Sequence, residues 1–255
     1  MKYHYVIISS FLIFIICCVS SVEDVSATEK SPTVYEEIQQ YDVTGDKVKE
    51  TIKVSGEFYE DSPNLKQITL QVVYGGNKAS VSIPIGYGAK PVLHIVDLNH
   101  DGVKDVFLSV KEVGDNPSVK DFGYSFKNEK VINFLELPKL DTQTNFQDEY
   151  KVKIKLYNDT YIVDVSTRKK MYEELGLYHH GKLNEPIELI VSSYVNIKPT
   201  YTIKGKGIEA TQMVSGSSET DIIGEIKTIW IIQEGKWKMQ NVSFIGRNKI
   251  VLIGN

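Results

Sequence analysis

Cysteine is nearly absent: the 255-residue chain has two, Cys17 and Cys18, and none follows them. From Thr28 onward the sequence therefore excludes disulfides, thiol catalysis and cysteine-ligated zinc. An excess of base is also missing. The chain has 29 basic against 33 acidic residues, a net charge of −4, and no basic patch stands out, which argues against nucleic acid as a partner. There is no G-x-S-x-G elbow, and Ser215, Ser217 and Ser218 in VSGSSETD read as a turn. The longest apolar run, Tyr5 to Val19, spans 15 residues, short of the roughly 20 needed to cross a bilayer.

That run follows Lys2 and precedes the polar stretch SSVEDVSA, with Val25 three residues ahead of a cleavage point after Ala27. This is the pattern of a secretory signal peptide over residues 1–27, and an uncleaved anchor is the alternative. The residues before Cys17, namely Phe14, Ile15 and Ile16, are too large for a lipobox. The remaining 228 residues carry 28 bases and 31 acids, net −3, and read as one domain over 28–255.

Within that domain short β-branched runs alternate with turn residues. Ile68–Tyr74 and Ala79–Ile83 flank Gly75-Gly76-Asn77-Lys78, and Phe122–Phe126 and Val131–Leu135 flank Lys127–Lys130. Val152–Leu156 with Tyr161–Val165, and Ile226–Ile232 with Trp237–Phe244, form two more hairpins. Only Thr167–Leu175, TRKKMYEEL, has a helical composition, and it is short.

One stretch has a spacing that dictates a chemistry, HIVDLNHDGVKDVFLSV. Asp97, Asn99, Asp101 and Asp105 fall at relative positions 1, 3, 5 and 9, with Gly102 at position 6. A tight loop with alternate side chains turned inward gathers three carboxylates and an amide oxygen, and the Val103 carbonyl adds another oxygen. Calcium takes about six to eight oxygens, and glycine permits the sharp turn. Position 12 is Leu108 where a helical EF-hand has a bidentate Glu, and the flanks read as strands. The competing reading is a polar turn between two strands.

Strand, D-x-N-x-D-G-x-x-D, strand resembles the FG-GAP or VCBS repeat of integrin-type β-propellers and secreted bacterial proteins. The resemblance implies a calcium loop between the first two strands of a blade, with Asp97, Asn99, Asp101, Val103 and Asp105 as ligands. A degenerate copy begins at Asp42. DVTGDKVKETIKV aligns Asp42, Thr44, Asp46 and Glu50 with the four ligand positions, and Lys47 replaces the glycine while Gly45 stands one residue before Asp46. A third copy, TIKGKGIEA, puts Thr202, Lys204, Lys206 and Ala210 at those positions, where the turn is expected without the metal.

Units of about 53 residues, each strand, Asp loop, strand and hairpin, predict an all-β, propeller-like domain of four or five imperfect blades of antiparallel strands. A β-sandwich with one calcium loop is the alternative. The adjacent His179 and His180 face opposite ways in an extended segment, His94 and His100 read as structural, and Glu173 and Glu174 as a solvated face. Trp230 and Trp237 read as strand packing residues ahead of a sugar-binding face. The function expected is a noncatalytic extracellular or cell-surface calcium-binding module for an unknown protein or glycan, with membrane contact only through a retained signal anchor. A secreted hydrolase or lyase on polysaccharide or peptide, with calcium as a structural accessory, is the alternative.

Overall fold

The structure is a computed structural model and describes residues 33–76, 78–113, 118–247 and 250–253. The expected signal peptide and its cleavage point at Ala27 lie outside the described residues, as does Asn77 of the first hairpin turn. Among the described residues no helix is long and apolar enough to cross a membrane.

The chain is all-β with several antiparallel sheets. The first sheet is the meander β1 (Val34–Tyr41), β2 (Glu50–Phe58), β3 (Leu65–Val73) and β4 (Ser80–Gly88). A second meander follows, β5 (Val92–Val96), β6 (Asp105–Lys111), β7 (Val119–Ser125) and the two-residue β8 (Ile132–Asn133). The third holds β9 (Thr142–Gln147), β10 (Lys151–Leu156) and β11 (Asp159–Asp164), and takes its fourth strand from the C-terminal β18 (Ile250–Ile253). Next come α1 (Lys169–Glu174) and the small hairpin of β12 (Tyr178–His179) and β13 (Lys182–Leu183). The fourth sheet has the longest strands, β14 (Ile190–Thr202), β15 (Gly205–Ser215), β16 (Ile222–Gln233) and β17 (Lys236–Gly246).

Side-chain alternation explains how these sheets pack. In β2 every second residue is buried, so Ile52 and Val54 face inward with Leu65, Leu70 and Val72 of β3, against Val106, Leu108 and Val110 of β6. Within the second sheet, β6 is covered on both faces. Phe107 points the other way, into a core with Ile208 and Ala210 of β15 and Trp230 of β16, and this is why Val106, Phe107 and Leu108 are consecutive apolar residues. Further along the fourth sheet, Val214, Ile223, Ile226 and Phe244 pack on Val152, Ile154 and Val163 of the third. The fourth sheet thus shares one core with the second and another with the third. No closed barrel or propeller ring forms among the described residues, and face-to-face sheet pairs fit a sandwich equally.

The four expected hairpins are present, and the TRKKMYEEL segment forms a 3₁₀ turn, Ser166–Arg168, followed by α1. Two expectations need correction. The third copy of the Asp loop does not exist as a loop: β14 runs to Thr202 and β15 starts at Gly205, so Ile203-Lys204 is a two-residue hairpin turn. His94 is exposed, because β5 presents alternate residues to solvent.

Besides the core shared by the two sheets, a carboxylate of the second sheet bonds to the fourth. Asp121 of β7 accepts the Ser109 hydroxyl and, at 3.1 Å, the Ile197 backbone N–H of β14. Burial raises its pKa. The folded chain therefore holds this proton more tightly than the unfolded one, so the group's contribution is greatest below the ordinary carboxylate range and falls as pH rises through the raised value. Asp121→Ala is expected to cost about 1–3 kcal/mol in urea unfolding, because the Ile197 N–H loses its acceptor, and to cost more at pH 4 than at pH 7. An equal cost at both pH values would remove the assigned role of burial.

Candidate metal centre

The two Asp loops occupy the same place in successive sheets, residues 42–49 between β1 and β2 and residues 97–104 between β5 and β6. Four of their hydrogen bonds repeat position by position. The acid at position 9 opens the second strand and is buried, Glu50 at 1 % and Asp105 at 0 % exposure. It accepts the N–H groups of positions 2 and 3: Val43 at 2.8 Å and Thr44 at 3.2 Å onto Glu50, Leu98 at 2.9 Å and Asn99 at 3.2 Å onto Asp105. The acid at position 1 accepts the N–H of position 6, Lys47 onto Asp42 at 2.9 Å and Gly102 onto Asp97 at 3.2 Å. Position 5 accepts position 7, Val48 onto Asp46 at 2.7 Å and Val103 onto Asp101 at 2.9 Å.

The backbone repeats as well. Positions 4 and 6 are left-handed in both loops, Gly45 (φ 85°) and Lys47 (72°) in the first, His100 (60°) and Gly102 (84°) in the second. Each loop has one glycine at one of these two strained positions, so Lys47 does not abolish the turn. Gly45 is further constrained because a Cβ there would lie 2.8 Å from Val103 Cγ2, which is where the two loops touch. The turn after β7 ties them together: the Asn128 N–H donates to the Thr44 carbonyl at 2.9 Å, and Lys127 Nζ donates to the Asp101 carbonyl at 2.9 Å and lies 3.4 Å from Asp101 Oδ2.

The loops differ in how their carboxylates converge. Ligand atoms of Asp42, Asp46 and Glu50 lie within 4.8 Å of one another, a group of three acids that the described residues contain in the loop expected to be the degenerate one. In the second loop the Asn99 amide stands among the acids, its Nδ2 donating to Asp101 Oδ2 at 3.2 Å and to Asp105 Oδ1 at 3.3 Å. Lys127 beside Asp101 offsets part of the negative charge of that loop. Burial pushes the Asp105 carboxyl up to about 6, against the Leu98 and Asn99 N–H groups and Ser125, which favour the anion.

Two observations test the fit of a cation. Thr44 Oγ1 and Asp97 Oδ1 are buried side-chain oxygens without a hydrogen-bond partner, and both stand at expected ligand positions, one in each loop. A buried oxygen left unpaired is costly, and a hard cation is what would satisfy it. The residues fit such an ion: Asp42, Thr44, Asp46 and Glu50 would hold it in the first loop, and Asp97, Asn99, Asp101, Val103 and Asp105 in the second.

The remaining sequence candidates have structural surroundings. His100 Nε2 lies 2.6 Å from the Lys206 carbonyl, Trp230 is buried, and Trp237 Nε1 donates to the Phe134 carbonyl at 2.9 Å. Glu173 accepts the Tyr150 hydroxyl. The rings of His179 and His180 lie 4.3 Å apart, closer than opposite-facing side chains would allow, because His180 takes a left-handed φ of 49°.

Residues 140–245 match the family model of the YybI C-terminal domain. The matched segment runs from just before β9 almost to the end of β17, and so comprises the third sheet without β18, α1, the small hairpin and the fourth sheet. Both Asp loops lie outside it. No curated protein matches the chain.

Proposed function

We propose that this chain is a noncatalytic extracellular calcium-binding module with two sites, one in each Asp loop, that serves as an interaction domain for a protein or glycan. The observation that carries the reading is the repeat of one hydrogen-bonding scheme in both loops, each with an unpaired buried oxygen at a ligand position. The loop placement supports membership of the FG-GAP or VCBS type, since both lie between the first two strands of a four-stranded antiparallel meander, the unit of a propeller blade. On this reading the cation is structural: it neutralises acids that burial and crowding otherwise disfavour. The leader-like residues 1–27 support export.

The hydrolase alternative has less to stand on. A cleft of about 750 Å³ along β9 is lined by Asp141 and Glu188 among other polar groups. Both carboxylates are exposed to solvent, whereas a general acid is seated against apolar walls.

Equilibrium dialysis of the chelated protein against radioactive calcium tests the proposal. Two ions per chain are expected, with affinities on the order of 10⁻⁴ to 10⁻³ M as in extracellular modules. Glu50→Gln should remove one and Asp105→Asn the other. No binding at ten times those concentrations would discard the calcium reading.

A further inference from the structure

The two hairpins at one end of the fourth sheet carry a surface that the calcium sites do not explain. In the first, Ile203 at the turn is fully exposed and Tyr201 is 82 % exposed. β15 pairs with β16 through Ile208 and Trp230, and continuing that register three residues brings Gly205 level with Gln233, the last residue of β16 before the turn to Lys236. The two turns therefore lie side by side. Between them they present Lys204, Lys206, Lys236 and Lys238 with Glu234 as the acid. Lys198 nearby is already paired with Glu209 at 3.0 Å, but none of those four lysines is in an ion pair among the described residues. The chain as a whole carries −4, so this end is a local reversal of sign.

We infer that this hairpin tip docks on an anionic lipid surface, with Ile203 entering the acyl boundary, Tyr201 at the headgroup level and the lysines on the lipid phosphates. Two apolar side chains are far too little for a stable protein interface, which buries about 800 Å² per partner, but they suit shallow insertion at a membrane boundary. Tyrosine has an apolar body with a polar tip, and lysine lays its stem along apolar surface while its ammonium stays outside. The Lys206 ammonium already lies 5.3 Å from the Tyr201 ring centroid, which keeps the two groups together on the tip. The tip is also held in place: His100 of the second Asp loop bonds the Lys206 carbonyl, and a Cβ on Gly205 would lie 3.1 Å from that imidazole. Docking through this tip requires no bound cation and is independent of the calcium sites.

Co-sedimentation of the full chain with large vesicles, in EDTA, tests it. The readout is the ratio of partition onto phosphatidylcholine vesicles containing about one-third phosphatidylserine to partition onto pure phosphatidylcholine, since any contribution of the apolar residues 5–19 enters both. The ratio is expected to exceed one at low salt and to fall at 0.5 M NaCl as the phosphates are screened. The double variant Lys204→Glu/Lys236→Glu should lower partition onto anionic vesicles by about tenfold or more. Ile203→Ser should lower it with the salt dependence retained, and all these positions are exposed, so circular dichroism should be unchanged. A ratio of one, or an excess that these variants leave intact, would overturn the inference. So would a concentration-dependent dimer that Ile203→Ser dissolves, which would assign the tip to a second copy of the chain.

Discussion

Adding 10 mM calcium to the chelated protein is expected to raise its thermal midpoint by about 3 to 11 °C for each loop that it fills. A site with Kd on the order of 10⁻⁴ to 10⁻³ M, bound only by the folded chain, contributes about 1.4 to 2.7 kcal/mol at that concentration. A domain of this size shifts by about 2 to 4 °C per kcal/mol, which gives the range for one occupied loop. Magnesium at the same concentration should do less, because it requires near-octahedral geometry and sheds water reluctantly. The variants separate the loops. Asp46→Ala removes one member of the convergent group Asp42, Asp46 and Glu50, and Asp101→Ala removes the acid that Lys127 already pairs and Asn99 already hydrogen-bonds. If the first loop is the tighter, Asp46→Ala takes away more of the calcium-dependent rise than Asp101→Ala. The comparison is made with and without calcium on each variant, so any change in the ion-free baseline cancels. A midpoint that calcium leaves unmoved would remove both sites together.

The two loops show what spacing alone conveys. Positions 1, 3, 5 and 9 were legible, and both loops fold to one hydrogen-bonding scheme. One reason the first gathers three acids is local: position 3 is Thr44 there, an oxygen without a donor amide, whereas Asn99 turns its Nδ2 onto its neighbours. Lys127, which stands beside Asp101, lies 26 residues further on. Strands bounded by turn residues were equally legible, since local chemistry sets hairpins. The strands that escaped notice are edges or distant partners. β1, VYEEIQQY, is an exposed edge whose polar residues obscure alternation, and β18 joins β11 across nearly the whole C-terminal half, which no local pattern reports. The packing of the fourth sheet on both the second and the third is likewise a property of long-range contacts. The apparent third copy keeps a turn but a shorter one, for a nearby reason: Thr202 Oγ1 accepts the Lys204 N–H and donates to the Gly205 carbonyl, closing it over two residues.

The largest loss of stability is expected at Asp221, which sequence reading left inside a serine-rich turn. Its carboxylate accepts Arg168 Nε at 2.7 Å, the Tyr172 hydroxyl at 2.6 Å and the Ser217 N–H at 3.0 Å, and Arg168 also donates to the Ile222 carbonyl at 2.8 Å. The Asp221 side chain is 7 % exposed and Tyr172 is wholly buried in the core of the third and fourth sheets. A Cβ on Gly216 would lie 2.3 Å from Asp221 Oδ2 and 2.5 Å from the Tyr172 hydroxyl, so the glycine leaves the space this cluster fills. Burial, then the adjacent carboxylate, hold the Tyr172 hydroxyl far above its ordinary pKa, so it remains a donor at any ordinary pH. Asp221→Ala leaves a largely buried guanidinium without its counter-ion and a buried hydroxyl without its acceptor, an expected cost of about 3–5 kcal/mol in urea unfolding. Tyr172→Phe, which removes a single bond to a charged group, should cost about 1.5–3 kcal/mol. The double variant Arg168→Leu/Asp221→Ala should cost less than the sum of its parts, since most of the single penalty is the stranded charge. Strict additivity, or an Asp221→Ala loss under about 1 kcal/mol, would mean that this corner of the YybI-like segment is held by apolar packing alone.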